Sequence, residues 1–179
     1  MVDNASPNKI FDVDLTYITS RGNWYYASWK GDTEKSGGII LNIGIHFFDM
    51  LMWIFGNVVE SKLHLNTHDR AAGFLKLEKA RIKWFLSISS KTLPQDKEHN
   101  KKSYRNVEVE GLKVEMDSGF ENLHTVCYSE ILAGKGHTIK DSEKSIKLVY
   151  DIRNSKIEGF TDRTHELARL EGDNHPFET

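Results

Sequence analysis

The sequence predicts an α+β fold, a largely antiparallel open-faced sheet with helices on one face. Three observations lead there. Residues 11–19 alternate apolar and polar side chains with period two, strand-like segments follow one another without a helix between residues 58 and 116, and two helical patterns come only after them. Helices and strands are thus segregated, which argues against a doubly wound sheet.

In Phe11–Thr19 the residues Phe11, Val13, Leu15 and Tyr17 share one side, with Asp12, Asp14 and Thr16 on the other, as in a half-buried strand. Arg21, Gly22 and Asn23 carry turn chemistry, and residues 24–30, WYYASWK, are aromatic enough to form the paired strand of a hairpin or an ordered lip beside it. Residues 31–38, GDTEKSGG, predict a loop with Ser36 as a helix cap. A helix follows over residues 39–55 and stops at Gly56 and Asn57. Strands are expected over residues 58–66, 72–78 and 81–89, the last two joined through Glu78, Lys79 and Ala80, and a hairpin over 105–110 and 112–116 around Gly111. Residues 120–133 predict a helix with Leu123, Val126, Cys127 and Ile131 on one face. Residues 142–153 predict another, capped by Asp141 or Ser142. Residues 91–103 read as a polar loop. The expected organisation is a sheet domain over 1–155 and a polar tail over 156–179.

Composition narrows the function. With 24 Lys and Arg against 26 Asp and Glu, a net charge of -2 sets up no long-range field for nucleic acid or anionic lipid. The single cysteine, Cys127, excludes an internal disulfide and fits a reducing compartment, so a cytoplasmic location is expected. Residues 39–55 are apolar enough to raise the question of a membrane span, but Asn42, His46 and Asp49 in their middle favour a helix buried in a protein.

Those three residues, at i, i+4 and i+7, stack on one helical face together with Trp53. An unpaired buried polar group costs about 1 to 3 kcal/mol, so the stripe must be satisfied, either inside the core or by a ligand. A second cluster holds Arg21, Trp24, Tyr25, Trp29 and Lys30. The guanidinium fork suits a carboxylate or diphosphate, Lys30 adds a point charge and the rings can stack on a sugar, although an aromatic strand packed on the core fits the same residues. His64 and His68 lie in strand-like sequence that destroys metal-ligand geometry and are expected to be solvated, Cys127 is expected in the core, and no metal site is assigned.

The string GG...NIGIHFFDMLMWIFG over residues 37–56 resembles the GG...DxGxHxxDxxxWxxG segment of the C-terminal domain in the glucose-fructose oxidoreductase and inositol dehydrogenase family. Within it, residues 16–32, TYITSRGNWYYASWKGD, and residues 120–136, FENLHTVCYSEILAGKG, resemble the dehydrogenases that oxidise UDP-N-acetylglucosaminuronate at C3 for lipopolysaccharide O-antigen sugars. The likeness spans about residues 10–155.

The resemblance implies a parent enzyme with an N-terminal Rossmann domain that binds NAD and supplies a catalytic lysine, and a C-terminal sheet domain that shapes the substrate site and builds oligomers. This chain has no GxGxxG between a strand and a helix and no Glu-Lys-Pro motif, and Glu78-Lys79-Ala80 sits in a strand connection. It is therefore expected to hold no Rossmann domain, to bind no NAD alone and to be silent without its cofactor half. The resemblance further implies His46 as the base for the hydroxyl proton and Asn42 as its neighbour, where many relatives carry aspartate. A carboxylate there would favour imidazolium, whereas an amide orients the ring without that attraction. Asp49, Arg21, Trp24, Tyr25, Trp29 and Lys30 are assigned to the sugar nucleotide, and a homo-oligomer is expected through an open sheet face taken to be broadly apolar. A stand-alone nucleotide-sugar-binding module and a pure assembly module are the alternatives, and a metal-dependent hydrolase on Asn42, His46 and Asp49 is the less favoured one.

Overall fold

A computed structural model of the chain describes residues 6, 8–94, 102–115 and 122–177. The elements run β1 (Phe11–Thr19), α1 (Asn23–Ala27), α2 (Thr33–Ser36), a π-helical turn (Ile40–Gly44) that continues into α3 (Ile45–Phe55), β2 (Val58–Asn66), β3 (Arg70–Leu77), β4 (Ala80–Ser87), β5 (Ser103–Val109), β6 (Leu112–Lys113), α4 (Leu123–Leu132) and α5 (Ile139–Arg153). The strands form one sheet in the order β2-β3-β4-β1-β5-β6. β1 and β4 pair in parallel, and the other neighbouring pairs are antiparallel. This is the α+β arrangement expected from the segregated patterns.

Period-two alternation gives the sheet two unlike faces. One carries Phe11, Val13 and Leu15 of β1 beside Ile82, Trp84 and Leu86 of β4 and Leu75 and Leu77 of β3, all buried. Onto it α3 lays Phe48, Leu51 and Phe55, each worth about 1.5–3 kcal/mol when fully buried. Phe48 meets Trp84 edge-on at 5.3 Å. A Cβ on Gly44 would stand 2.7 Å from the Phe48 ring and 3.0 Å from Leu86, so the bare backbone there lets the helix settle on the sheet. α5 packs beside α3 through Leu148, Val149 and Ile152. The apolar run is thus spent on a protein core, although by length and composition residues 33–55 would suffice to cross a membrane. Gly56, at a φ of 91°, ends the helix with its N–H donating to Met52 O at 3.0 Å.

Several expectations need correction. Residues 24–30 are not a strand: β4 and β5 already occupy both edges of β1, so a segment turning back from it finds no ladder to join, and α1 forms instead. Ser28 closes that turn, its hydroxyl donating to Tyr25 O at 2.8 Å. Residues 31–38 are not a simple loop, because Asp32 caps α2 by accepting from the N–H groups of Glu34 and Lys35. Ser36 ends α2 rather than starting a helix, and its hydroxyl accepts from Gly38 N at 3.0 Å. α5 begins earlier than expected, behind a capping box of Thr138 and Asp141. Cys127 is exposed, as are Leu123, Val126 and Ile131, because α4 buries no side chain against the described residues. His64 is buried rather than solvated, since a register shift between Leu63 and Leu65 re-aims β2 at that point. The tip of the loop at residues 95–101 and the helix start at residues 120 and 121 lie outside the described residues.

The second sheet face was expected to be broadly apolar and is instead largely charged. Alternation places Asp12 and Asp14 of β1, Arg81 and Lys83 of β4, Lys76 of β3 and Glu108 of β5 around one shallow concavity there. Arg81 holds Asp12 with a two-point guanidinium contact at 2.9 and 3.0 Å. The apolar remainder, Ile18, Ala72 and Phe85, lies under Ala168. That residue belongs to a strap formed by residues 157–170, which starts at a bridge between Ile157 and Leu63. His165 seats the strap: Nδ1 accepts from Leu167 N at 3.1 Å, which assigns the ring proton to Nε2, 2.9 Å from both Asp14 Oδ1 and Thr16 Oγ1.

Candidate active site

The helix-covered face opens at one end into a cleft of about 470 Å³. Its floor is the end of β1 and its continuation, where Tyr17, Thr19 and Arg21 project to the same side. Backbone pairing continues past β1, with Ser20 N donating to Lys102 O and Arg21 N to Ile88 O, so Arg21 is held in register with the sheet. The wall is the helix, which presents Asn42, Ile43, His46, Phe47 and Met50. Asn42 stands in the π-helical turn, a local widening frequent at functional sites.

Side-chain chemistry follows from these positions. The His46 imidazole is exposed on the cleft and can take or give a proton there. Asn42, one turn earlier, has its Nδ2 buried without a hydrogen-bond acceptor among the described residues. Nearby the Tyr25 hydroxyl is also buried, with the Asn42 amide acting on it, and at ordinary hydrogen-bond length neither group finds a partner among the described residues. Burial pushes the Tyr25 phenol above its usual pKa, opposed by the Asn42 side chain and the Arg21 charge, so the phenol keeps its proton as a donor. Tyr17 and Phe47 form an aromatic floor with ring centroids 5.1 Å apart.

Of the eight site residues singled out in the sequence, Arg21, Asn42 and His46 line this cleft, with Tyr25 beside them. Tyr25 and Lys30 line a separate polar cleft of about 580 Å³ beside Gly37 and Gly38. Trp24 and Trp29 are more than half exposed and line neither, and Asp49 faces solvent. The cleft takes the helix face Ile43, His46, Phe47 and Met50, spaced i, i+3, i+4 and i+7, which leaves Asp49 and Trp53 outside it. Thr19 and Tyr17 could have been read from alternation in β1. Arg105 also lines the cleft, and no local signal marks it, because only the β1–β5 register sets it opposite Tyr17.

The described residues do not fit a dinucleotide. No strand among them leads through a GxGxxG turn into a helix, and their buried polar atoms without a hydrogen bond are divided between the cleft, at Asn42 and Tyr25, and the strands, at Ser61, His64 and Trp84.

Residues 8–174 match the family model described as "Oxidoreductase family, C-terminal alpha/beta domain". Among solved structures, the WlbA (WbpB) dehydrogenase from Thermus thermophilus in complex with NAD and alpha-ketoglutarate is 41% identical over 87% of this chain and 50% of that one, with a TM-score of 0.80. The same enzyme in complex with NAD and UDP-GlcNAcA is 38% identical over 96% of this chain and 52% of that one, with a TM-score of 0.80. The WlbA dehydrogenase from Bordetella pertussis, at 14% identity over 85% of this chain and 55% of that one and a TM-score of 0.60, shares the fold. The chain spans about half the length of these relatives.

Proposed function

Since the chain belongs to this oxidoreductase family, as its C-terminal alpha/beta domain, we propose that it is the substrate-binding and oligomerisation half of a NAD-dependent dehydrogenase that oxidises the 3-hydroxyl of a UDP-sugar uronate in lipopolysaccharide sugar biosynthesis. The single observation that carries this reading is the exposed imidazole of His46 on a cleft that also holds the buried amide of Asn42 and a guanidinium, Arg21. The relatives bound to NAD, with UDP-GlcNAcA in one case, support both the cofactor of the parent enzyme and the class of its substrate.

NAD supplies the hydride acceptor in the whole enzyme, and the work of this chain is to bind, orient and manage a proton. His46 takes the proton of the sugar hydroxyl as the carbon is oxidised. Asn42 Nδ2 donates to the sugar and fixes the ring position, while Arg21 meets an anionic group of the sugar nucleotide. Tyr25, Lys30, Trp24 and Trp29 serve the nucleotide end around the neighbouring cleft, and Asp49 stands at the outer rim. Residues 1–155 form the functional domain and residues 156–179 its tail, of which residues 157–170 strap across the second sheet face. The domain alone is silent for want of its cofactor half.

The deciding experiment is His46→Gln in the complete enzyme. Turnover per site should fall about 10²–10⁴-fold while UDP-GlcNAcA still binds. Undiminished turnover would leave the chain a binding or assembly module.

A further inference from the structure

Beyond the strap, residues 170–177 run back to the start of β3 and fasten there at three points. The Arg70 guanidinium donates to Leu170 O, Lys91 Nζ donates to Gly172 O at 3.1 Å, and Asp69 Oδ2 accepts from Asp173 N at 2.8 Å. The Asp69 carboxylate is buried, and its other oxygen accepts from Thr67 Oγ1 at 2.8 Å and Arg70 Nε at 3.3 Å. A Cβ on Gly172 would stand 2.3 Å from Asp69 Oδ2 and 2.5 Å from Arg70 Nε, so the tail lies against this pair with no room to spare. These contacts deliver His175 to Tyr26 of α1. The His175 ring meets the Tyr26 ring edge-on at 4.9 Å and the His68 ring at 5.0 Å, and Tyr26 lies 5.7 Å from His68, so three rings close a cluster. Tyr26 in turn meets Tyr25 edge-on at 5.7 Å.

α1 has five residues and no side-chain cap, too short a helix to hold itself, so its place depends on what packs against it. That place bears on both clefts. Tyr25 lines the polar cleft beside Gly37 and Gly38 and reaches Asn42 of the other, and His68 lines the polar cleft as well. His175 itself lines neither. Resting on the reading of these clefts as a sugar-nucleotide site, we infer that residues 170–177 are a clasp that sets α1 between them, with His175 as a positioning residue that acts through Tyr26. A lip fixed in advance spares the ligand the cost of ordering it, so affinity depends on a tail that the ligand does not touch.

Calorimetric titration of this chain with UDP-GlcNAcA tests the clasp, with urea unfolding of each variant to show that folded protein is titrated. His175→Ala should weaken binding about three- to tenfold, the loss that one or two edge-on ring pairs can transmit. Gly172→Ala, which lifts the tail from Asp69 at a different point, should weaken it to a similar degree. His175→Phe keeps an aromatic ring against Tyr26 and should bind within about twofold of the wild type. Unchanged affinity in either alanine variant, or a His175→Phe variant that binds no better than His175→Ala, overturns the clasp and leaves the cleft reading standing. If the wild-type chain binds no UDP-GlcNAcA, the cleft reading falls, and the clasp with it.

Discussion

His165 ties the C-terminal strap to the centre of the sheet by setting its Nε2 2.9 Å from the Asp14 carboxylate, across 151 positions of sequence. The ring also stacks on Phe85 at 5.5 Å. One imidazole therefore supplies both the polar and the apolar part of the seam. His165→Ala removes the stacked ring and leaves buried Thr16 without its partner, at a cost of about 2–3 kcal/mol. Urea unfolding should report that loss, and limited proteolysis should cut first within residues 157–170.

Asn42 stands one turn from His46 where many relatives are read as carrying a carboxylate. Asn42→Asp adds a negative charge that favours the imidazolium form of His46. In the complete enzyme the acid limb of the kcat/KM profile should move to higher pH, with little change on the alkaline side. An unmoved profile would detach Asn42 from His46.

Gly44→Ala sets two effects against each other. Alanine gains up to about 1 kcal/mol in a helix over glycine, but its methyl would meet the Phe48 ring at 2.7 Å and Leu86 at 3.0 Å, and overpacking costs about 1–3 kcal/mol. Both neighbours are fully buried and have little room to yield. The expected outcome is net destabilisation, read as a lower Tm by calorimetry.

His64 is buried with its Nδ1 unpartnered among the described residues, and burial depresses its pKa below the ordinary 6.5. The unfolded chain therefore takes up a proton near pH 6.5 that the folded chain still refuses, so folding stability falls as the pH drops from there toward the depressed folded value. His64→Leu should flatten this fall. Urea midpoints measured at pH 7.5 and 5.5 should differ less in the variant than in the wild type.

Self-association is expected through the second sheet face, where acidic β1 and β5 lie beside basic β3 and β4 and can meet their opposites on another copy. Light scattering behind size-exclusion chromatography should give a dimer or larger species at low salt, and a smaller one as salt screens those charges. A monomer at every ionic strength would refute this.

Much of the fold was legible because its signals are local. Alternation in Phe11–Thr19 and Val58–Asn66 corresponds to β1 and β2 with the bounds expected. The helix carrying Asn42 and His46 follows from its apolar run and its glycine stop. What escaped depends on partners far away in sequence. Aromatic content argued for a strand at residues 24–30, yet the edges of β1 were taken by segments some sixty and eighty residues downstream. Arg105 reached the cleft through strand register alone, and His165 looks like any polar residue of a tail until Asp14 and Thr16 are placed beneath it. Leu123, Val126, Cys127 and Ile131 recur at helical spacing, but other apolar side chains, Tyr128 and Leu132, interrupt any polar face opposite them, so the spacing did not establish a buried side.

The middle position of β1 shapes how this molecule must be born. Among the described strands it emerges first, and its two neighbours begin at Ala80 and Ser103, so neither side of its ladder can close until those segments have followed it out of the ribosome. At about 5–20 residues per second, the nascent strand waits for seconds with Phe11, Val13 and Leu15 uncovered. Such a topology assembles late and all at once, and it gives chaperones a defined interval in which to act.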